Sequence, residues 1–258
     1  AAIWVYSSSY GFYYVKDNTF HETPLVHASI SAKDIVVQNN TATDVFLYGL
    51  YIESILEYSN NDDFTGDTLH ALIDNNTIEF NPDRNNGGSG ITVYHRNQNF
   101  YNPNYVRKVT ISNNTIDLSD QGNHGITYNG NTMENNQTLD VLNNNISHSL
   151  YSGMTINYGL KGRIRGNTIV DVMNNYDDYT SPYYYLDAGI SVNKSSQEVV
   201  GNSVSNSNGH GIKMVEHTAR VDSNTVINCA NGMLIQSEPN EPSLSSVRYN
   251  NITNNYYS

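Results

Sequence analysis

The sequence predicts an all-β solenoid of about nine to ten coils, each made of three short strands, and three observations carry that reading. A tripeptide Asn-(Thr/Ser/Asn)-hydrophobic begins at Asn18, Asn40, Asn76, Asn114, Asn144, Asn167, Asn202, Asn224 and Asn250. A second motif, Gly-hydrophobic-x-hydrophobic, alternates with it at Gly49, Gly90, Gly125, Gly153, Gly189, Gly211 and Gly232, with degenerate copies at Ala2 and His27. The spacing repeats: 9 residues from Asn202 to Gly211 and 13 more to Asn224, and the same steps from Asn18 through His27 to Asn40, a period of 22.

At about 3.3 Å per residue, 22 residues close one coil of three strands and three turns, each coil hydrogen-bonding to the next. In the Gly motif the first and third following residues are apolar: Ile91 and Val93, Met154 and Ile156, Ile190 and Val192, Ile212 and Met214, Met233 and Ile235. This period-2 alternation puts one face inward in the same register through the stack. Ile91, Val93, Ile126, Ile156, Ile190, Val192 and Ile212 are therefore expected inside. The Asn of the first motif is expected at a corner, where its amide can bond its equivalents about 4.8 Å above and below. A ladder of this kind is structural, so those nine Asn carry no functional expectation.

Composition agrees with a β-fold. The 258 residues include 40 Asn, 21 Tyr and 18 Gly, a surplus of turn formers and strand-favouring aromatics. Thirteen Lys and Arg against 25 Asp and Glu give a net charge of −12, which opposes nucleic-acid binding through phosphate neutralisation. The single cysteine, Cys229, excludes an intrachain disulfide and a Cys-rich metal site. No stretch approaches the 18 apolar residues of a membrane-spanning helix, and Ala1–Tyr10 lacks the charged and apolar regions of a signal peptide. Because the first residues already read as the interior of a repeat, residues 1–258 are expected to be a single domain of a longer or processed chain.

Gly-Ile-x-Val and Asn-x-Ile repeats running from Ile3 to Ile252 resemble those of the right-handed parallel β-helix proteins with pectate-lyase-like folds. In texture the chain is also similar to the disaggregatase-related proteins of archaea, β-helices associated with a cell-surface polysaccharide. The resemblance implies right-handed coiling, and it spans lyases, glycoside hydrolases, uronate epimerases, tailspikes and surface-layer proteins, so function must come from a site.

Three spacings exceed the basic coil: 27 residues from Gly49 to Asn76, 24 from Gly90 to Asn114, and 22 from Asn167 to Gly189. The corresponding insertions, near Ser54–Leu69, His95–Val106 and Asn174–Leu186, all flank the Gly strands, which makes the outward side of those strands the expected groove. Its first outward column reads Trp4, Ser29, Tyr51, Thr92, Thr127, Thr155, Ser191, Lys213, Leu234. The second reads Tyr6, Ser31, Glu53, Tyr94, Asn129, Asn157, Asn193, Val215, Gln236. Rings to stack on and amides to bond hydroxyls are sugar-binding chemistry, and Tyr51, Tyr94, Tyr158, Asn129, Asn157 and Asn193 are the expected substrate contacts. Thr and Asn ladders are also good strand neighbours in their own right.

Two outward clusters carry groups that transfer protons. Glu53, Tyr94, His95, Arg96 and His124 span three coils. A base, an acid and a cation are what β-elimination on a uronic acid requires. Asp187, Lys194, His210, Lys213 and Glu216 form the second cluster, in which two carboxyls would serve glycoside hydrolysis at a suitable separation and an ion-pair network is the structural alternative. The expected catalytic set is Glu53, His95, Arg96, His124, Asp187 and Lys213, with the first cluster preferred. No cofactor is required. The acidic stretches Asn60–Asp63 with Asp67, and Asp177-Asp178, offer hard oxygen ligands suited to Ca²⁺ but match no calcium-binding repeat. The expected function is a secreted or cell-surface lyase or glycoside hydrolase cleaving an acidic or amino-sugar-containing polysaccharide. A non-catalytic carbohydrate-binding or adhesive module, and a uronate C5-epimerase, are the alternatives.

Overall fold

Short runs of alternating apolar residues separated by Asn, Asp and Gly form strands that cannot bury their inner faces alone and do so by stacking coil on coil. A computed structural model describes residues 3–7, 12–24, 26–30, 34–54, 68–84, 87–95, 106–130, 137–158, 161–173, 188–217, 220–236 and 246–256, without the side chains at 4–7, 27–30, 54, 68–69, 95 and 216–217. Every coil contributes one strand to each of three parallel nine-stranded sheets, A, B and C.

Sheet A contains β1 (Ile3–Ser7), β4 (Val26–Ile30), β7 (Tyr48–Ser54), β10 (Ser89–His95), β13 (His124–Asn129), β16 (Ser152–Asn157), β19 (Ala188–Ser195), β22 (His210–His217) and β25 (Asn231–Gln236). Sheet B contains β2 (Phe12–Lys16), β5 (Asp34–Gln38), β8 (Thr68–Asp74), β11 (Val106–Ser112), β14 (Gln137–Leu142), β17 (Lys161–Arg165), β20 (Glu198–Val200), β23 (Val221–Asp222) and β26 (Val247–Arg248). Sheet C contains β3 (Thr19–His21), β6 (Thr41–Val45), β9 (Thr77–Phe80), β12 (Thr115–Asp117), β15 (Asn145–Ser149), β18 (Thr168–Val172), β21 (Ser203–Ser207), β24 (Thr225–Ile227) and β27 (Asn251–Thr253). No helix occurs among the described residues. The nine coils meet the sequence expectation.

The interior is an aliphatic stack. Ile91, Val93, Ile126, Ile156, Ile190, Val192 and Ile212 are all buried, joined by Val109, Ile111, Val141 and Ile164 from sheet B and by Ile78, Ile116, Ile146 and Ile169 from sheet C. The Gly of the second motif has a steric reason. A Cβ on Gly153 would lie 2.4 Å from Ile169 Cγ2 and 2.7 Å from the Gly189 carbonyl, so sheets A and C can approach at this corner only where the side chain is a hydrogen.

At the corner between sheets B and C the nine expected Asn form one unbroken ladder. The Nδ2 of Asn167 donates to Asn202 Oδ1 at 2.9 Å and to the Val141 carbonyl of the previous coil at 2.8 Å. Its Oδ1 accepts from Asn144 Nδ2 at 3.0 Å and from the Asn144 backbone N–H at 2.9 Å. The pattern recurs at Asn76, Asn114, Asn144, Asn202 and Asn224, all buried. The residue before each ladder Asn turns the chain through the left-handed region, from Asp17 (φ 59°), Asn39 (58°) and Asn75 (53°) to Gly166 (68°) and Gly201 (66°). Asn, Asp and Gly tolerate that conformation, which accounts for the Asn-Asn pairs in the sequence.

One register expectation is corrected. Val26 pairs with Leu50, His27 with Tyr51 and Ser29 with Glu53. The second coil therefore aligns two residues earlier than a start at His27 implied: Ser29 belongs to the second outward column, His27 takes its place in the first, and Ser31 lies outside the described residues. A slip of two is one full strand period, so the same residues face inward and alternation alone could not detect it.

Changing Ile156 to Asp should place an unpaired charge in the middle of the aliphatic stack and prevent folding. Circular dichroism and thermal melting check this. An Ile156→Asp chain that melts like the parent would contradict the register.

Candidate functional site

The outer face of sheet A is built from side chains that alternate with the buried stack. The register aligns Trp4, His27, Tyr51, Thr92, Thr127, Thr155, Ser191, Lys213 and Leu234 in one column. Tyr6, Ser29, Glu53, Tyr94, Asn129, Asn157, Asn193, Val215 and Gln236 align in the next. Glu53, Tyr94, Asn129, Asn157 and Asn193 are each half-buried, so this second column is continuous and accessible over five coils. Tyr51 is half-buried too and meets Tyr48 edge to face, with ring centroids 5.3 Å apart. Tyr158 follows Asn157 with φ of 56°, at the turn leaving the sheet.

The first column is more enclosed than expected. Thr92, Thr155, Ser191 and Lys213 are buried, Lys213 with only 3 % of its surface exposed. The hydroxyls of Thr92, Thr127 and Thr155 are shut from solvent and meet no hydrogen-bond partner among the described residues.

A third column went unread in the sequence: the residue before each Gly, namely Tyr48, Ser89, His124, Ser152, Ala188, His210 and Asn231. Its signal was present as the position preceding the Gly in every copy. It divides the first expected cluster. Glu53 and Tyr94 are direct register partners, but His124 stands at the opposite end of the strand, five residues or about 16 Å away and two coils further on. The expectation that His124 converges with Glu53 is therefore corrected. Side chains at the two ends of a strand cannot meet, however close their coils. His124 lies against Tyr151, with ring centroids 6.0 Å apart, and its enclosed Nδ1 meets no partner among the described residues. Burial pushes its pKa down to about 4, so it is neutral at pH 7.

His95 ends β10 opposite Ser54, without a described side chain, and Arg96 lies outside the described residues. In the second cluster, Asp187 lies outside the described residues and the Glu216 side chain is undescribed. His210 and Lys213 share β22, and Lys194 is exposed at the end region of β19 with φ of 49°. Burial, and then the charge of Lys213, lower the His210 pKa. The segments 55–67 and 96–105 connect sheet A to sheet B, and 174–187 connects sheet C to sheet A; these three insertions, with both acidic calcium candidates, lie outside the described residues. Among the described residues no group of three or more His, Cys, Asp or Glu side chains is arranged to hold a metal ion.

Lowering the pH should expose the cost of neutral His124. Its folded pKa lies below the ordinary 6.5, so its contribution to stability is complete above that value and declines as pH falls toward about 4. His124→Gln, which cannot be protonated, should lose less stability than the parent between pH 6.5 and 4.5, as read by urea denaturation at both pH values. Equal losses in the two proteins would contradict a neutral ring with an enclosed Nδ1.

The family model described as "Right handed beta helix region" matches residues 102–258. No curated protein and no solved structure matches the chain.

Proposed function

The chain belongs to the right-handed β-helix family, and on that scaffold we propose that the outer face of sheet A binds an extended acidic or amino-sugar-containing polysaccharide and cleaves it at Glu53 and Tyr94. The observation that carries this reading is the accessible column Glu53, Tyr94, Asn129, Asn157, Asn193, in single register across five coils. It supplies an aromatic face for a sugar ring and then three amides, each able to donate to and accept from hydroxyl groups. Tyr51 adds a second ring beside Glu53 in the adjoining column, and Tyr158 a third at the turn after Asn157.

The chemistry of the Glu53–Tyr94 pair suits β-elimination on a uronate. The carboxylate of Glu53 takes the C5 proton, the C4–O bond breaks as a C4=C5 double bond forms, and the Tyr94 hydroxyl protonates the departing oxygen. His95 and Arg96 follow Tyr94 directly in sequence and are the groups assigned to neutralise the substrate carboxylate. His124 has no part in this step: it stands at the far end of the strand from the pair. An address outside the cell, secreted or on the surface, follows from the nature of such a substrate.

Glu53→Gln should lower formation of the ultraviolet-absorbing unsaturated product by about 10² or more while leaving glycan affinity and melting temperature close to the parent's. Tyr94→Ala should weaken glycan binding about tenfold, the scale of a lost stacking contact. If glycan binds without product formation in the parent, the face is a binding module. If Tyr94→Ala binds as tightly as the parent, the groove lies elsewhere.

A further inference from the structure

Sheet B carries an unexpected charge distribution on its outer face. From β11 to β26 that face presents Lys108, Lys161, Arg163, Arg165, Arg220 and Arg248, all exposed, against three carboxylates, Asp140, Glu198 and Asp222. Six positive charges against three negative occur in a chain whose net charge is −12. Two of the three carboxylates are already engaged, and the exposed Glu198 has no ion pair within 4 Å among the described residues. Asp140 receives Arg163 through two hydrogen bonds, 3.2 Å from Nε and 3.0 Å from Nη2, and the buried Asp222 receives Arg220 Nε. Glu198 pairs in register with Arg163. No ion pair within 4 Å is found for Lys108, Lys161, Arg165 or Arg248 among the described residues.

These four cations are regularly placed. Lys108 and Lys161 occupy one column with Thr138 between them, two coils or about 10 Å apart. Arg165 and Arg248 occupy another with Val200 and Asp222 between them, three coils or about 14 Å apart. At physiological salt, interactions are screened beyond about 8 Å, so an approaching ligand responds to this local surplus rather than to the acidic remainder of the molecule.

We propose that the outer face of sheet B, from Lys108 to Arg248, is a second docking surface for a carboxylated polysaccharide, separate from the sheet A column. A chain carrying one carboxylate every one or two sugars matches cations spaced two or three coils apart. Duplex nucleic acid, with one charge per 1.7 Å, does not, and among the described residues from β11 to β23 no exposed aromatic ring stands between the cations for bases to stack on, the exposed Tyr249 lying beyond them next to Arg248. The surface holds the polymer while the sheet A column handles individual sugars. It rests on the polysaccharide reading only for the class of ligand.

The test compares the parent chain with a Lys161→Gln, Arg165→Gln, Arg248→Gln triple variant, using polygalacturonate, neutral dextran and duplex DNA as probes at 50 and 200 mM salt. All three side chains are exposed, so melting temperature should not change. The parent should bind polygalacturonate in a salt-dependent way, and the triple variant about tenfold or more weakly with a flatter salt dependence, the scale of three lost anion contacts. Tyr94→Ala should retain that salt-dependent component, which separates this surface from the sheet A column. An unaltered affinity in the triple variant, DNA bound as tightly as polygalacturonate, or a change confined to self-association would each overturn the proposal.

Discussion

The in-register stacking of the coils, held at one corner by the buried Asn ladder, is the constraint on which the rest of the structure depends. Each internal ladder amide donates twice and accepts twice, so four otherwise expensive polar valences per residue are satisfied inside the solenoid. Leaving one buried donor or acceptor unmet costs about 1–3 kcal/mol. A coil displaced by one residue would therefore break the ladder and turn its apolar face outward together. Aliphatic side chains alone would tolerate more than one register; the ladder selects one.

That selection produces the surface columns. Once Asn144, Asn167 and Asn202 are stacked, sheet A can only present Asn129, Asn157 and Asn193 above one another, and sheet B can only bring Asp140, Arg163 and Glu198 into line. Sheet C shows the same effect with a different chemistry. His148 bonds Asp117 at 2.9 Å and stands 3.7 Å from Asp171 across three successive coils. Partial burial lowers its proton affinity, but the Asp117 hydrogen bond and the charges of Asp117, Asp120 and Asp171 outweigh that and raise its pKa above the usual value. Asp74 on sheet B is a further case: burial would raise its pKa, yet donation from Ser112, Asn113 and Gln38 keeps it low. In both, repetition along the axis gathers the partners.

Fold, period and core were legible because they are written redundantly. Nine copies of one motif and seven of another leave little freedom, and each inward Ile was identifiable from alternation. Register was legible wherever a Gly marked it and slipped by two at His27, where no Gly stands and the pattern is unchanged by a shift of two. The site was less legible for a different reason. Spacing reports which coil a residue belongs to, and Glu53 and Tyr94 were grouped correctly on that basis, but His124 was grouped by coil although it stands at the far end of its strand. Distance along a strand and distance between coils are independent, and only the first is large. The basic face of sheet B escaped notice because net charge averages over faces that the solenoid separates.

Whether the Asn ladder fixes the stacking register is measured by the unfolding free energy of Asn167→Ala in urea. Removing this amide strips acceptors from the Asn144 backbone N–H and Nδ2 and donors from the Val141 carbonyl and Asn202 Oδ1, four hydrogen bonds to buried groups. The loss should be about 3 kcal/mol or more, far beyond that of an exposed Asn. A loss below about 1 kcal/mol, within the range of an ordinary surface substitution or little more, would show that the ladder accompanies the stacking without determining it.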